Sequence, residues 1–183
     1  MKKYYVFIFV SLCLFFSCKI QNTNSQKEAI QKHQHGVIAE NGMIVAAHPL
    51  AVQIGVNILK QGGNAFDAAV AVHFALAVAY PRAGNIGGGG FAVFRMENGE
   101  MEALDFREKA PLKAYRDMYL DKEGNVIPNL SKLGHLAVGV PGSVAGMLEL
   151  HKKKGKLPFA KLIQPAIDWA QNGFLLTENE ANK

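Results

Sequence analysis

A layered fold of helices and strands, of the α/β or α+β class, is what these 183 residues predict. Three observations carry that expectation. Segments with helical and with strand character alternate along the chain. Asn98-Gly99 lies between two short apolar runs, the strongest short-range signal for a β-hairpin. The stretch from Phe66 to about Ala79 is apolar almost all round, so it reads as a helix buried among other elements. Composition agrees, with 49% hydrophobic and 19% charged residues. These are globular values, and the length suits one domain or a piece of a larger one.

The first 17 residues read as an export signal rather than part of the fold. Lys2 and Lys3 precede an apolar run from Tyr4 to Phe16, too short for a comfortable membrane span. A short anchor that is never removed is the competing reading. Leu14-Phe15-Phe16-Ser17-Cys18 resembles a bacterial lipoprotein cleavage box, which makes Cys18 the expected lipidation site; Phe15 and Phe16 are bulkier than is usual there. The other cysteine, Cys13, lies inside the apolar run, so no disulfide is expected in the mature chain. Residues 18–35 are polar and read as a flexible tether, and the folded part is expected over 36–183. Without Lys2 and Lys3 the balance is 18 basic against 15 acidic residues, a dispersed +3 that argues against nucleic acid as a partner.

Met43 to Ala46 reads as a short strand. Pro49 then opens a helix with an inward stripe of Leu50, Ala51, Ile54, Ile58 and Leu59, stopped by Gly62-Gly63. The next helix begins near Asn64. Asp67 in its first turn reads as a helix-start carboxylate, and His73 as a satisfied core or edge histidine. Phe91 to Met96 and Met101 to Phe106 are the hairpin strands. Asp117 to Gly124 is turn-rich, Pro128 to Gly134 is loop, and Leu136 to Val140 reads as a short strand ended by Pro141-Gly142. Ser143 caps or begins a helix to Lys154, with Val144, Met147, Leu148 and Leu150 expected inward. The Lys152-Lys153-Lys154 run at its end complements the helix dipole. A further helix spans about Pro158 to Gln171, where Pro165 predicts a kink or restart and Gly173 a stop. Thr177 to Glu180 looks like the cap of another helix.

Several chemistries fail on spacing. Gly87-x-Gly89-x-x-Ala92 precedes a strand instead of opening a helix, so it is not a dinucleotide loop. Ser143 is not in a Gly-x-Ser-x-Gly elbow. The histidines, at 33, 35, 48, 73, 135 and 151, include no pair with metalloprotease spacing, which argues against a metal site. One dense charge cluster remains: Asp105, Arg107 and Glu108, after a glycine-rich mouth at Gly87 to Gly90. A held arginine is a carboxylate receptor. A salt-linked strand end and a pair of acid–base carboxylates are the alternatives.

Four segments add a family resemblance. Gly62 to Ala71 (GGNAFDAAVA), Ala83 to Phe91 (AGNIGGGGF), Asp105 to Pro111 (DFREKAP) and Val140 to Gly146 (VPGSVAG) resemble, in order, segments of the gamma-glutamyltranspeptidases. The resemblance implies an α+β N-terminal nucleophile hydrolase fold, an αββα sandwich of which this chain holds only part. It implies a proenzyme that cuts itself into a large and a small subunit. The new N-terminal threonine of the small subunit then attacks the gamma-glutamyl amide of glutathione, its own amine serving as base. The acyl group passes to water, an amino acid or a peptide. Arg107 matches the residue that binds the α-carboxylate of the gamma-glutamyl group. The matching region is the N-terminal part of the large subunit. Neither Thr23 nor Thr177 stands in a Thr-Thr-His-like segment, so no catalytic residue is expected in this chain and it should be inactive alone. No cofactor is expected. The small subunit, gamma-glutamyl compounds and a membrane reached through a lipid anchor are the expected partners, in the periplasm or on the membrane of a bacterium. A cephalosporin or glutaryl acylase of the same fold, or a lipid-anchored binding domain without catalysis, are the competing readings.

Overall fold

The computed structural model describes Gly36 and residues 38–182. The expected export signal, Cys18, the tether with His33 and His35, and Thr23 lie outside the described residues. Asn41–Lys183 forms one compact unit. In it, helices α1 (Pro49–Lys60), α2 (Ala65–Ala79), α3 (Ser143–Lys154) and α4 (Phe159–Asn172) pack around one core. A two-stranded antiparallel sheet, β1 (Phe91–Arg95) and β2 (Met101–Asp105), rests against them, and a short α5 (Glu178–Ala181) closes the order. Among the described residues no helix is long and apolar enough to cross a membrane.

The buried α2 is central. Ala68, Val70, Ala71 and Ala75 are all but sealed from solvent, and α1, α3 and α4 pack around it. Its small side chains permit that approach on several sides. Its start is a capping box: Asn64 Oδ1 accepts from the Phe66 and Asp67 amides, and Asp67 Oδ2 accepts from the Asn64 amide at 3.0 Å. Asp67 does more than cap. It is fully buried and also accepts from the Lys156 and Leu157 amides, which ties α2 to the α3–α4 connection.

The hairpin forms with a three-residue loop, Glu97-Asn98-Gly99. Gly99 N donates to Met96 O, and Gly99 itself is left-handed at φ 90°. This is a turn followed by a glycine bulge rather than a two-residue turn. Phe94 and Leu104 face the helices, and Phe94 meets Phe66 edge-on at 4.9 Å. Phe91, Val93 and Met101 face solvent.

Three expectations are corrected. Residues 42–47 form no strand among the described residues: Ile44 and Ala46 touch the core while Met43 and Val45 point out, the alternation of a strand with no ladder partner. In place of a strand at 136–140 there is a 3₁₀ turn (His135–Ala137) and one bridge, Lys109 to Val140. On α3, Ser143, Gly146, Met147 and Leu150 are buried, whereas Val144 and Leu148 are 38% and 46% exposed. The two exposed residues lie one position, about 100° of helix, round from the buried stripe. Of the two outcomes expected at Pro165, a kink or a restart, the restart does not occur: α4 continues from Phe159 to Asn172, with Leu162 and Ala166 on either side of the proline both buried.

His73 is also not satisfied as expected. Its Nε2 is enclosed without a hydrogen-bond partner, and burial lowers its pKa from the ordinary value. The buried histidine that does find partners is His48, the N-cap of α1. Its Nδ1 accepts from Leu50 N at 3.3 Å, and its Nε2 lies 2.6 Å from Glu180 Oε1.

Candidate substrate-binding site

The site forms where β2 ends. Phe106 extends the hairpin ladder by one pair, its amide donating to Gly90 O at 3.0 Å. The chain then passes between two backbone segments. On one side is the glycine loop. A Cβ on Gly89 would stand 2.8 Å from Arg107 Cα and 2.7 Å from Glu108 N, closer than real Cβ contacts come. On the other side is the entry to α3, where a Cβ on Gly142 would stand 1.9 Å from Phe106 O. Lys109 and Val140 exchange two backbone hydrogen bonds at 3.1 and 2.7 Å. The amides of Gly142 and Ser143 both donate to Gly88 O, which joins the glycine loop to the start of α3. Residues 106–109 are therefore held by main chain on both sides, which a side chain at either glycine would prevent.

Arg107 stands at the mouth of this arrangement, its side chain 59% exposed. Its backbone amide donates to Asp105 Oδ1 at 2.9 Å, an Asx-type turn that sets the local backbone. Its Nε is 3.0 Å from Glu108 Oε2, and its guanidinium carbon is 5.9 Å from the centre of the Phe91 ring. A cleft of about 300 Å³ opens beside it, lined by Asp105, Phe106, Lys109, Pro141, Gly142 and Glu149. Glu108 engages Nε, which leaves the two terminal nitrogens as the edge able to grip an anion in two-pronged fashion.

The Asp105–Arg107–Glu108 cluster and the glycine loop, singled out in the sequence, do come together. The strand-end ion pair is real, with Glu108 Oε2 set against Nε of the guanidinium. Thr177 is distant in role: it caps α5 through Glu180. Sequence reasoning missed the contributions of Phe91 and Gly142, and it missed that Asp105 sets the backbone at Arg107. Asp105 and Phe91 were findable by counting the hairpin register; Gly142 was not, because its contact is made 36 residues from Phe106. Among the described residues, no three His, Cys, Asp or Glu side chains converge as a metal site would need.

Known proteins share this fold. The chain is 56% identical to a Helicobacter pylori gamma-glutamyltranspeptidase of known structure, with a TM-score of 0.74 over 80% of this chain and 42% of that one. A cephalosporin acylase from Bacillus halodurans shares the fold at 29% identity and a TM-score of 0.62, over 82% of this chain and 29% of that one. The architecture is thus part of an N-terminal nucleophile hydrolase fold. The Gamma-glutamyltranspeptidase family model matches residues 51–183. A curated relative, the glutathione hydrolase proenzyme of Pseudomonas sp. (strain A14), is 51% identical over 166 residues, 91% of this chain. The chain belongs to the gamma-glutamyltranspeptidase family. It spans 28% of the length of that curated relative.

Proposed function

We propose that these residues are the carboxylate-gripping part of a gamma-glutamyltransferase and glutathione hydrolase, with Arg107 receiving the α-carboxylate of the gamma-glutamyl group. The observation that carries this reading is the backbone clamp on residues 106–109. It holds a cationic fork, 59% exposed, at the mouth of a cleft. A fixed guanidinium matches a carboxylate in two parallel hydrogen bonds, which a lysine ammonium cannot do.

In this proposal the chain binds and orients, and the attacking group comes from sequence outside these residues. A small-subunit threonine oxygen adds to the amide carbonyl and its proton passes through the terminal amine to the departing amine. The carbon–nitrogen bond breaks, and water or an amine then takes the acyl group. Arg107 contributes by fixing the far end of the acyl group, so that the carbonyl meets the nucleophile in one orientation. Residues 1–17 are the export signal, Cys18 the lipid-bearing residue, 18–35 the tether and 36–183 the N-terminal portion of the enzyme domain. A periplasmic or membrane-anchored setting in a bacterium follows.

The test is kinetic, on the complete proenzyme containing these residues. Arg107→Ala should raise KM for a gamma-glutamyl anilide about 100-fold, and Arg107→Lys should recover only a small part, given about 1.5–3 kcal/mol for hydrogen bonds to charged groups. Self-cleavage should be unchanged in both. Wild-type KM in Arg107→Ala, or faster cleavage of a glutaryl amide than of glutathione by the wild type, would remove the assignment.

A further inference from the structure

The register of the hairpin places one more residue in the carboxylate grip. Phe91 pairs directly with Asp105, so the next pairs out are Gly90 with Phe106 and Gly89 with Arg107. The 106–90 pair is made, with Phe106 N donating to Gly90 O and Gly90 N to Phe106 O. Arg107 thus continues the face that carries Asp105 and Phe91, by the two-residue period of a strand. The position directly opposite Arg107 is a glycine, and it must be one, because a Cβ there would collide with Arg107 Cα. Hence no side chain faces Arg107 straight across the ladder. The nearest neighbour on that face is the diagonal one, Phe91, at the spacing over which aromatic and long side chains meet.

The contact is made. The Arg107 guanidinium carbon lies 5.9 Å from the Phe91 ring centre, inside the roughly 6 Å reach of a cation–π interaction. The ring is itself 65% exposed, so it is not held by core packing. Three contacts therefore bear on Arg107: Asp105 at its amide, Glu108 at Nε and Phe91 at the guanidinium.

We infer that Phe91 is a positioning residue for substrate binding, an aromatic shelf that holds the Arg107 fork in the orientation that receives a carboxylate. This rests on the reading of Arg107 given above. Phe91 acts through Arg107, so its effect belongs to substrate affinity and not to the chemical step.

The experiment uses the complete, self-processed enzyme and two anilides: gamma-glutamyl, and 4-aminobutanoyl, which is the same acyl group without its α-carboxylate. Phe91→Leu should raise KM for the gamma-glutamyl anilide about two- to fivefold, the size expected of an exposed cation–π contact, with kcat within twofold of wild type. Phe91→Tyr and Phe91→Trp should restore KM. The carboxylate-free anilide should be indifferent to all three, and Phe91→Leu should add nothing in an Arg107→Ala background. Pentafluorophenylalanine at position 91 keeps the ring's shape and reverses its electrostatics. It should behave as Leu does, and it replaces Phe91→Leu if that variant fails to process. Unchanged KM in these variants, with Arg107→Ala impaired, would overturn the role of Phe91 alone. An unimpaired Arg107→Ala would overturn the reading of Arg107 and this inference with it.

Discussion

The helical pair α1–α2 and the exit of β2 are both packed at close quarters, but with different materials. In the helical pair the contacts are made by side chains: Ala51 and Ile58 of α1 and Ala68, Ala71 and Ala75 of α2 are all buried in one cluster, and even Gly55 of α1 meets the side chain of Val72 rather than backbone. At the exit of β2 the contact is between main chains, with Gly89 and Gly142 set against residues 106–108. Side-chain packing is a matter of volume, and a changed volume is absorbed by rotamers and small shifts at an energetic cost. Main-chain packing on glycine has no such slack. The helical layer therefore supplies stability, while the glycine-clamped segment supplies position, and mutations in the two should separate kinetically.

The largest effect is expected at the clamp. In the complete enzyme Gly142→Ala should lower kcat/KM for a gamma-glutamyl substrate about 100-fold, the scale of a misplacement near 1 Å. A variant that melts early but keeps wild-type kinetic constants would erase the distinction between the two regions. Ile58→Ala is the counterpart in the helical layer. It should cost about 3 kcal/mol of stability, within the range for such buried truncations, and leave KM within twofold. A rise in KM matching that of Gly142→Ala would show that the regions are not separable.

A smaller loss is expected at the link between helices. Asp67→Asn keeps the shape but replaces a charged acceptor facing three backbone amides, and should cost about 2 kcal/mol without changing KM. Denaturant unfolding measures the first quantity and substrate titration the second.

The smallest effects come from pH, and they divide the layer again. Burial holds His73 below its ordinary 6.5, so the unfolded chain takes up the proton first as pH falls. Its contribution is complete above about 6.5 and is lost as pH falls toward the lower folded value. Glu180 is held below the usual carboxylate range, first by the Thr177 amide and hydroxyl and then by His48. Its contribution persists at neutral pH and is lost only as pH falls through the carboxylate range. Amide protection factors, which discount the intrinsic slowing of exchange in acid, should therefore fall in α2 as pH drops below about 6.5, and around Thr177–Asn182 only at lower pH. His73→Phe should abolish the first change and Glu180→Gln the second.

Much of this molecule was legible as local pattern. Pro49, Gly62, Asn64, Asp67, Gly173 and Thr177 mark helix ends through capping chemistry that needs only neighbours in the chain. The Asn98-Gly99 signal found the hairpin, and the Asp105–Arg107–Glu108 cluster pointed to the candidate site. The loop length was a tertiary matter. A two-residue Asn98-Gly99 turn would pair Phe91 with Phe106, whereas the three-residue loop pairs it with Asp105. Only the second register sends Phe94 and Leu104 to the helices and leaves Phe91 beside Arg107, because a slip of one residue turns every side chain to the other face.

By itself, then, the sequence determined where the helices begin and end, which helix is buried and which arginine stands at the end of a strand. Those outcomes depend on contacts a few residues apart and on hydrophobic period. Only the tertiary structure decided that Asp67 would anchor the α3–α4 connection, that His48 would meet Glu180, and that Gly142 would fit against Phe106. Each of those contacts joins groups 36 to 132 residues apart. No local propensity encodes such a meeting; it exists once the core has brought the segments together.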